Sequence, residues 1–417
     1  MRCLILTQYY PPETGAAQNR LSDWAQRLSA WGHKITVLTA VPNYPRGEIV
    51  TRYRKHCLYD ECIDGVRVLR TRIFVRRNYG FLQRLISYLS FMLASIFIGI
   101  AKAGAQDVIL IESPPLLAGI SGLVLRYWFH ARMVLNVSDL WPESAVSMGM
   151  LHNRVLISLA TLLEETLYLH SSLVTGQTKH IVSQIARRTG VHTALVTNGV
   201  DLDTFIDPSS VDRNAHRAEF GLRDEFVVGY AGLHGLAQGL DMILDAAELL
   251  QDVAGIVFVL FGDGPEKPRL RTEAQRRGLN NLRFYPPRPK QTVPTLMACF
   301  DACIIPLRGL DLFRGALPCK LFESMAAGAP VIVSIAGEAE DLVREANGGI
   351  CIPPDDARAL ADAILRLRDD PALGQALSRN ARTYITRHYD RKDIAAKLHS
   401  LLLSLAEKGR QCAENPE

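Results

Sequence analysis

At 417 residues the chain is long enough for two or three domains, each with its own core. With 48% hydrophobic and 22% charged residues and no low-complexity tract, its composition excludes a disordered or fibrous protein. The net charge of +4 is uneven: residues 1–200 hold 21 Lys and Arg against 12 Asp and Glu, and the remainder 26 against 31. Much of the excess lies between Arg46 and Arg84, which points to an anionic partner such as a lipid headgroup, a nucleic acid or a phosphorylated substrate. The eight cysteines are scattered, without C-x-x-C spacing, and read as buried thiols of a cytosolic protein. No charged-apolar-small leader precedes the first strand, so secretion is not expected.

The first half alternates strands and helices. Strand-like runs are Arg2–Gln8, Ile35–Ala40, Val66–Ile73, Asp107–Ser113, Met133–Asp139, Ser172–Gly176 and Thr193–Thr197. They are rich in Val, Ile and Leu, as strands buried on both faces should be. Between them Leu21, Trp24, Ala25 and Leu28 recur at helical spacing. Such alternation predicts a parallel sheet covered by helices. The second half repeats the theme, with strands at Glu225–Ala231, Ile256–Phe261, Leu282–Tyr285, Ala302–Leu307 and Val331–Ser334. A polar, turn-rich stretch at Asn198–Ser210 marks the boundary. We therefore expect an α/β protein of two Rossmann-like domains, residues 1–198 and 199–389. Helical patterns resume at Asp356, and a last helix at about 390–410 could cross back onto the first domain. One segment, Leu85–Ala101, carries no charge. At 17 residues it is at the short limit for a membrane span, and three serines and a glycine weaken it. It reads as a buried helix, an interfacial helix behind the basic Arg76, Arg77 and Arg84, or, least, a span.

The most informative stretch is Gly315–Ser334, a loop, a helix and a strand that follow the strand Ala302–Leu307. In such a unit ligands sit at the carboxyl end of the first strand, near the helix N-terminus, which attracts anions. Pro318 suits the first helical position and Gly328 the cap that ends the helix. Lys320 adds a cation in the first turn, and Glu323 shares its face. That pair suits a nucleotide diphosphate with its ribose hydroxyls; an ordinary surface ion pair has the same spacing. Four glycines, Gly229, Gly232, Gly235 and Gly239, span the turn that follows a strand, without the G-x-G-x-x-G dinucleotide spacing. Gly262-Asp263-Gly264-Pro265 closes the next strand similarly, and Gly15 precedes a helix in the first half. Asp139 ends a strand on the expected ligand side, or caps the next segment. Glu112 ends the neighbouring strand. Glu164 and Glu165 read as solvated helix charges, and His33 and His234 as structural. No Ser-His-Asp triad, P-loop or H-E-x-x-H is present.

Taken together, YYPPETGAA, WGHKITVLT, TNGVDLDTF, YAGLHGLAQG, FGDGP and KLFESMAAGAPVIVS resemble the retaining glycosyltransferases of family 4, which have the GT-B fold. Within that family the DLWPES stretch is similar to bacterial polysaccharide and O-antigen transferases, including fucosamine-type enzymes. The resemblance implies two Rossmann-like domains facing an interdomain cleft, the first binding the acceptor and the second a UDP-linked nucleotide-sugar donor. It implies that Gly15, Gly232, Gly235, Gln238 and Gly239 cradle the donor with Leu317, that Lys320 neutralises the leaving diphosphate, and that Glu323 binds the ribose. Asp139 with Lys320 would be catalytic. Glu112, Arg76, Arg77 and Arg84 would serve a lipid-diphosphate-linked glycan at the cytoplasmic membrane face, through peripheral contact at 46–101, and no nucleic acid. No metal or other cofactor is implied. Three departures stand out: Gln238 and Leu233 where many members have Lys and Arg, Gly315 where many have Glu, and Ser138 where many have His. The last is compatible with a 6-deoxy amino sugar. A GT-B-type sugar-nucleotide epimerase and a non-catalytic membrane scaffold are the alternatives.

Overall fold

The computed structural model describes residues 1–13, 15–44, 47–76, 81–205 and 211–414, and Arg46 and Arg77 lie outside them. The chain forms two units, residues 1–197 with 392–417, and residues 198–391.

The first unit holds strands β1 (Arg2–Leu6), β2 (Lys34–Ala40), β3 (Leu58–Ile63), β4 (Val66–Thr71), β5 (Val108–Ser113), β6 (Arg132–Val137), β7 (Leu173–Gly176) and β8 (Thr193–Leu195). Its helices are α1 (Ala16–Ala30), α2 (Phe81–Lys102), α3 (Leu117–Phe129), α4 (Glu143–Ser147), α5 (Arg154–Leu169) and α6 (Lys179–Thr189). The sheet order is β3-β4-β2-β1-β5-β6-β7-β8. One face is packed by Phe91 of α2, Leu125 of α3 and Leu167 of α5 against Leu4, Leu38 and Ile111. The second unit holds β9 (Phe226–Ala231), β10 (Ile256–Phe261), β11 (Leu282–Tyr285), β12 (Ala302–Pro306), β13 (Val331–Ser334) and β14 (Gly349–Cys351). Around them lie α7 (Arg213–Ala218), α8 (Asp241–Leu249), α9 (Lys267–Arg276), α10 (Val293–Ala298), α11 (Cys319–Ala326), α12 (Glu338–Ala346), α13 (Ala357–Asp369) and α14 (Pro371–His388). Its strands run β11-β10-β9-β12-β13-β14, all parallel. Helices cover both faces: Leu321 and Phe322 of α11 on one, Ile243 and Leu244 of α8 on the other. Each such fully buried Leu or Phe contributes roughly 1.5–3 kcal/mol. The last helix, α15 (Arg391–Glu414), places Ile394, Leu398 and Leu402 with Leu21 and Trp24 of α1 on the second face of the first sheet.

Two strands differ from the sequence expectation. β3 pairs with β4 antiparallel, so the first sheet is mixed at its edge. Its turn is Asp64-Gly65, both with positive φ, 50° and 78°, as a tight two-residue hairpin requires. The strand LYDECI is an edge with one open side and carries Asp60 and Glu61 in its middle, so a search for apolar runs passes over it. β14 is only three residues long. Helix α11 starts one residue later than expected: Pro318 has φ −64° and ψ 137°, extended backbone that caps the helix rather than opening it.

Candidate active site

In the second unit, α11 and the glycine turn after β9 meet at the carboxyl ends of β9 and β12. The Lys320 ammonium donates to the Tyr230 hydroxyl at 2.8 Å, and that hydroxyl donates to the Leu233 carbonyl at 2.6 Å. The same ammonium stands 4.2 Å from the Tyr230 ring centroid. Gly232 lies directly beneath it: φ is 156°, and a Cβ there would stand 2.9 Å from Lys320 Nζ. The first glycine of the turn thus makes room for the cation. Behind it, Gly262 has φ 142°, and a Cβ would fall 1.8 Å from the Gly232 carbonyl oxygen. Backbone packs on backbone there, which explains the second glycine turn. Burial pushes the Lys320 ammonium down to about 8. Glu323, one turn on, has its carboxyl held above the usual range by burial, with the Arg391, Lys290 and Lys320 charges opposing. Within α11 this places a cation and a carboxyl next to the positive end of a helix dipole.

Other predicted donor residues take varied places. Gly235 caps the short turn Leu236–Gln238, and Gly239 ends it with φ 57°. Gln238 turns a neutral amide back toward Gly235, where a Cβ would stand 2.7 Å from its Oε1. Leu317 packs its side chain into the core of the second unit, so its place in a donor site rests on its backbone. His234 is fully buried against Tyr230 and Phe284, and burial followed by the Lys267 charge lowers it to about 4. It is a neutral structural histidine, as its isolation in the sequence suggests. Leu233 and Leu236 leave an apolar, exposed rim on the turn.

In the first unit, Glu112 and Asp139 follow opposite courses. Glu112 is buried and fully engaged. Arg20 Nη2 donates to its Oε1 at 2.7 Å and Asn136 Nδ2 to its Oε2 at 2.6 Å, and the Ser138 hydroxyl also donates to it. Gln177 Nε2 in turn reaches Ser138 Oγ at 2.6 Å, and Thr175 Oγ1 reaches Asn136 at 2.8 Å. This corrects the expectation of an acceptor-facing carboxylate: Glu112 is the hub of a closed network across the ends of β5, β6 and β7. Asp139 is half-buried, and burial raises its carboxyl to about 6, with the nearby Ser144 and the Leu140 backbone opposing the shift. Gly15 caps α1 in extended backbone, φ 173° and ψ 171°, which any residue adopts. Arg76 and Arg84 are exposed, whereas Arg77 lies outside the described residues. Glu164 also departs from the sequence expectation. It is not a solvated charge but is buried, accepting from Tyr168 at 2.6 Å and Arg188 at 2.9 Å. Cys57 and Cys62 are exposed rather than buried.

Two residues were not singled out by sequence reasoning. Tyr230 carries a signal: a hydroxyl inside an otherwise apolar strand demands a partner. Arg20 carries a weaker one, a guanidinium on the inward side of α1, next to Leu21 and Trp24.

Residues 15–199 match the family described as Glycosyl transferase 4-like domain, and residues 225–370 match Glycosyl transferases group 1. A protein of Escherichia coli (strain K12) named as a colanic acid biosynthesis glycosyl transferase, WcaI, is 25% identical over 405 residues, covering 94% of this chain and 98% of its own. Sucrose-phosphate synthase from Thermosynechococcus elongatus superposes with TM-score 0.78 at 20% identity, over 97% of this chain and 98% of that one. Anabaena Alr3699/HepE in complex with UDP-glucose superposes with TM-score 0.73 at 20% identity, over 97% and 100%.

Proposed function

Because this chain belongs to the GT-B glycosyltransferases, with the 4-like and group 1 domains in tandem over about four fifths of its length, we propose that it moves a sugar from a UDP-linked donor, with retention, to a lipid-diphosphate-linked glycan during polysaccharide or O-antigen assembly. The observation that carries this reading is Lys320 held by Tyr230 over Gly232: a cation, a helix N-terminus and close-approach backbone at one point. A diphosphate leaving group develops negative charge as the glycosidic bond breaks. Lys320 and nearby backbone N–H groups supply compensating charge in place of a metal, and the acceptor attacks from the leaving-group side. Glu323 accepts from the ribose hydroxyls. Asp139 lies at the end of β6 and positions the reacting sugar through its carboxyl. The colanic acid relative and the UDP-glucose complex of the Anabaena protein support a nucleotide sugar and a polysaccharide product. Ser138, committed to Glu112, offers no partner for a C6 hydroxyl, which supports a 6-deoxy sugar such as a 6-deoxy-N-acetylamino sugar. The enzyme works on the inner face of the cytoplasmic membrane, held peripherally by 46–101.

Incubation with a panel of nucleotide sugars, with and without membrane lipid extract, tests the reading by mass spectrometry. Acceptor-dependent release of UDP is expected. Altered sugar stereochemistry without UDP would instead show an epimerase, and no turnover with any donor would leave only a scaffold.

A further inference from the structure

Three neighbouring helices of the first unit carry more apolar surface on their outer side than water favours. In α2 the two sides are inverted. Ser87, Phe91, Ser95 and Gly99, four residues apart, face the core, while Leu89, Leu93 and Phe97 face out, Phe97 at 70% exposed. Apart from Phe91, the inner side is the smaller and more polar one. Its hydroxyls are used within the protein: Ser95 donates to Ser121 of α3 at 2.9 Å, and Ser121 to the Met92 carbonyl at 3.0 Å. A Cβ on Gly99 would stand 2.8 Å from Leu125 of α3, so the two helices approach closely. Small residues inside and large apolar ones outside is how helices pack in lipid. Of the serines and glycine that weaken this stretch by composition, Ser87, Ser95 and Gly99 lie on the protein side. Ser90 is half-buried and accepts from the Phe74 N–H at 2.9 Å.

The outer surface continues across α3 and α5, which pack beside one another. Tyr127 and Trp128 of α3 are exposed, and α5 turns Leu159 and Leu162 outward while Leu167 and Tyr168 fill the core behind. A helix apolar on both sides needs a second apolar surface. The charges fit one kind of partner. Arg84 lies near the start of α2 and Lys102 ends it, Arg126 lies near the end of α3 and Arg154 opens α5. The only carboxylates on these helices, Glu164 and Glu165, both pair with Arg188, at 2.9 and 3.0 Å. Cations and amphipathic rings around leucines, without an unpaired carboxylate among the described residues, match an anionic headgroup layer.

We propose that α2, α3 and α5 together form the face by which the first unit lies on an anionic phospholipid bilayer, with α2 in the membrane plane and not across it. This rests on the peripheral contact proposed above and widens it from one helix to three. Crossing would strip α2 from the sheet its inner side covers.

Co-sedimentation with vesicles of phosphatidylglycerol and phosphatidylethanolamine, against pure phosphatidylcholine, tests it on the full chain. Two paired variants are compared with wild type: Leu93→Glu with Phe97→Glu on α2, and Leu159→Glu with Leu162→Glu on α5. All four positions are exposed, and circular dichroism with UDP binding checks the fold; Leu159→Ser with Leu162→Ser replaces the α5 pair if folding suffers. Each pair is expected to weaken binding to anionic vesicles about tenfold or more. If the α5 pair binds like wild type while the α2 pair does not, the three-helix face is wrong and the single-helix contact stands. If wild type ignores the vesicles, the peripheral contact itself fails. A wild-type dimer that the α5 pair dissociates, with vesicle binding unchanged, would assign the face to a second copy and overturn the proposal.

Discussion

The two sheets end in polar clusters of opposite design. In the first unit, Glu112 is enclosed by Arg20, Asn136 and Ser138, and those are held by Gln177 and Thr175. Every charge is matched inside the protein, and such a network fixes shape. In the second unit, Lys320 leans on a neutral hydroxyl and on glycine backbone, with no carboxylate within ion-pair distance among the described residues. Burial, outweighing the opposing pull of Cys303 and Glu323, brings its ammonium to about 8. A closed network rigidifies; an under-compensated cation waits for a ligand's charge. The contrast divides stability from chemistry, and it can be broken from either side.

Lys320→Ala should have the largest effect. Loss of a preorganised cation at a leaving diphosphate lowers kcat/KM for the donor about a thousandfold. The thermal midpoint should hold or rise slightly, because a desolvated charge has been removed. Near-normal UDP release would sink the role given to Lys320. Arg20→Ala should do the reverse. It leaves Glu112 buried and unpaired, and urea unfolding should show about 3–5 kcal/mol less stability. UDP affinity below the transition should be unchanged, and a loss under about 1 kcal/mol would mean that the network re-pairs without its arginine.

That division also explains what the sequence revealed. The parallel strands of both sheets were legible because strands buried on both faces become apolar runs, as in ACIIP and VIVS. Lys320, Glu323 and the glycines were legible because anion sites at helix N-termini need those residue types at short spacing. The enclosure of Glu112 was not, because Arg20, Asn136 and Gln177 are far apart in the chain and meet only when β5, β6 and β7 align. The same holds for Glu164, whose partner Arg188 comes from the next helix. The hairpin strand β3 was hidden by the Asp60-Glu61 pair that interrupts its apolar run, although its Asp64-Gly65 turn was in view. The orientation of α2 was hidden for a different reason: composition counts serines, and only packing shows which side they occupy.

The pH dependence sharpens the second half of the comparison. With burial lowering Lys320 from 10.5 to about 8, the free enzyme loses its ammonium above about pH 8. Donor kcat/KM should then fall about tenfold per pH unit beyond that point. The limb for kcat should lie higher, since a bound diphosphate favours the charged form. Stability moves the other way. The unfolded chain keeps this proton up to its ordinary value, so it binds more protons than the fold between pH 8 and 10.5. The contribution of Lys320 to stability therefore rises with pH across that window. A donor kcat/KM flat from pH 7 to 10 would mean that another group carries the charge.

Tyr230→Phe has the smallest expected effect and tests the positioning most directly. The ring stays, so the packing of β9 stays, and only the hydroxyl that joins Lys320 to the Leu233 carbonyl is lost. One hydrogen bond to a charged group then accounts for a drop in donor kcat/KM of about tenfold. A structural role for Tyr230 predicts a lower thermal midpoint and an unmoved pH profile. Positioning predicts that the alkaline limb shifts below pH 8, because the hydroxyl oxygen stabilises the ammonium and its removal lowers the lysine further. The shift is the decisive reading, since it arises only if Tyr230 and Lys320 act as one unit over Gly232.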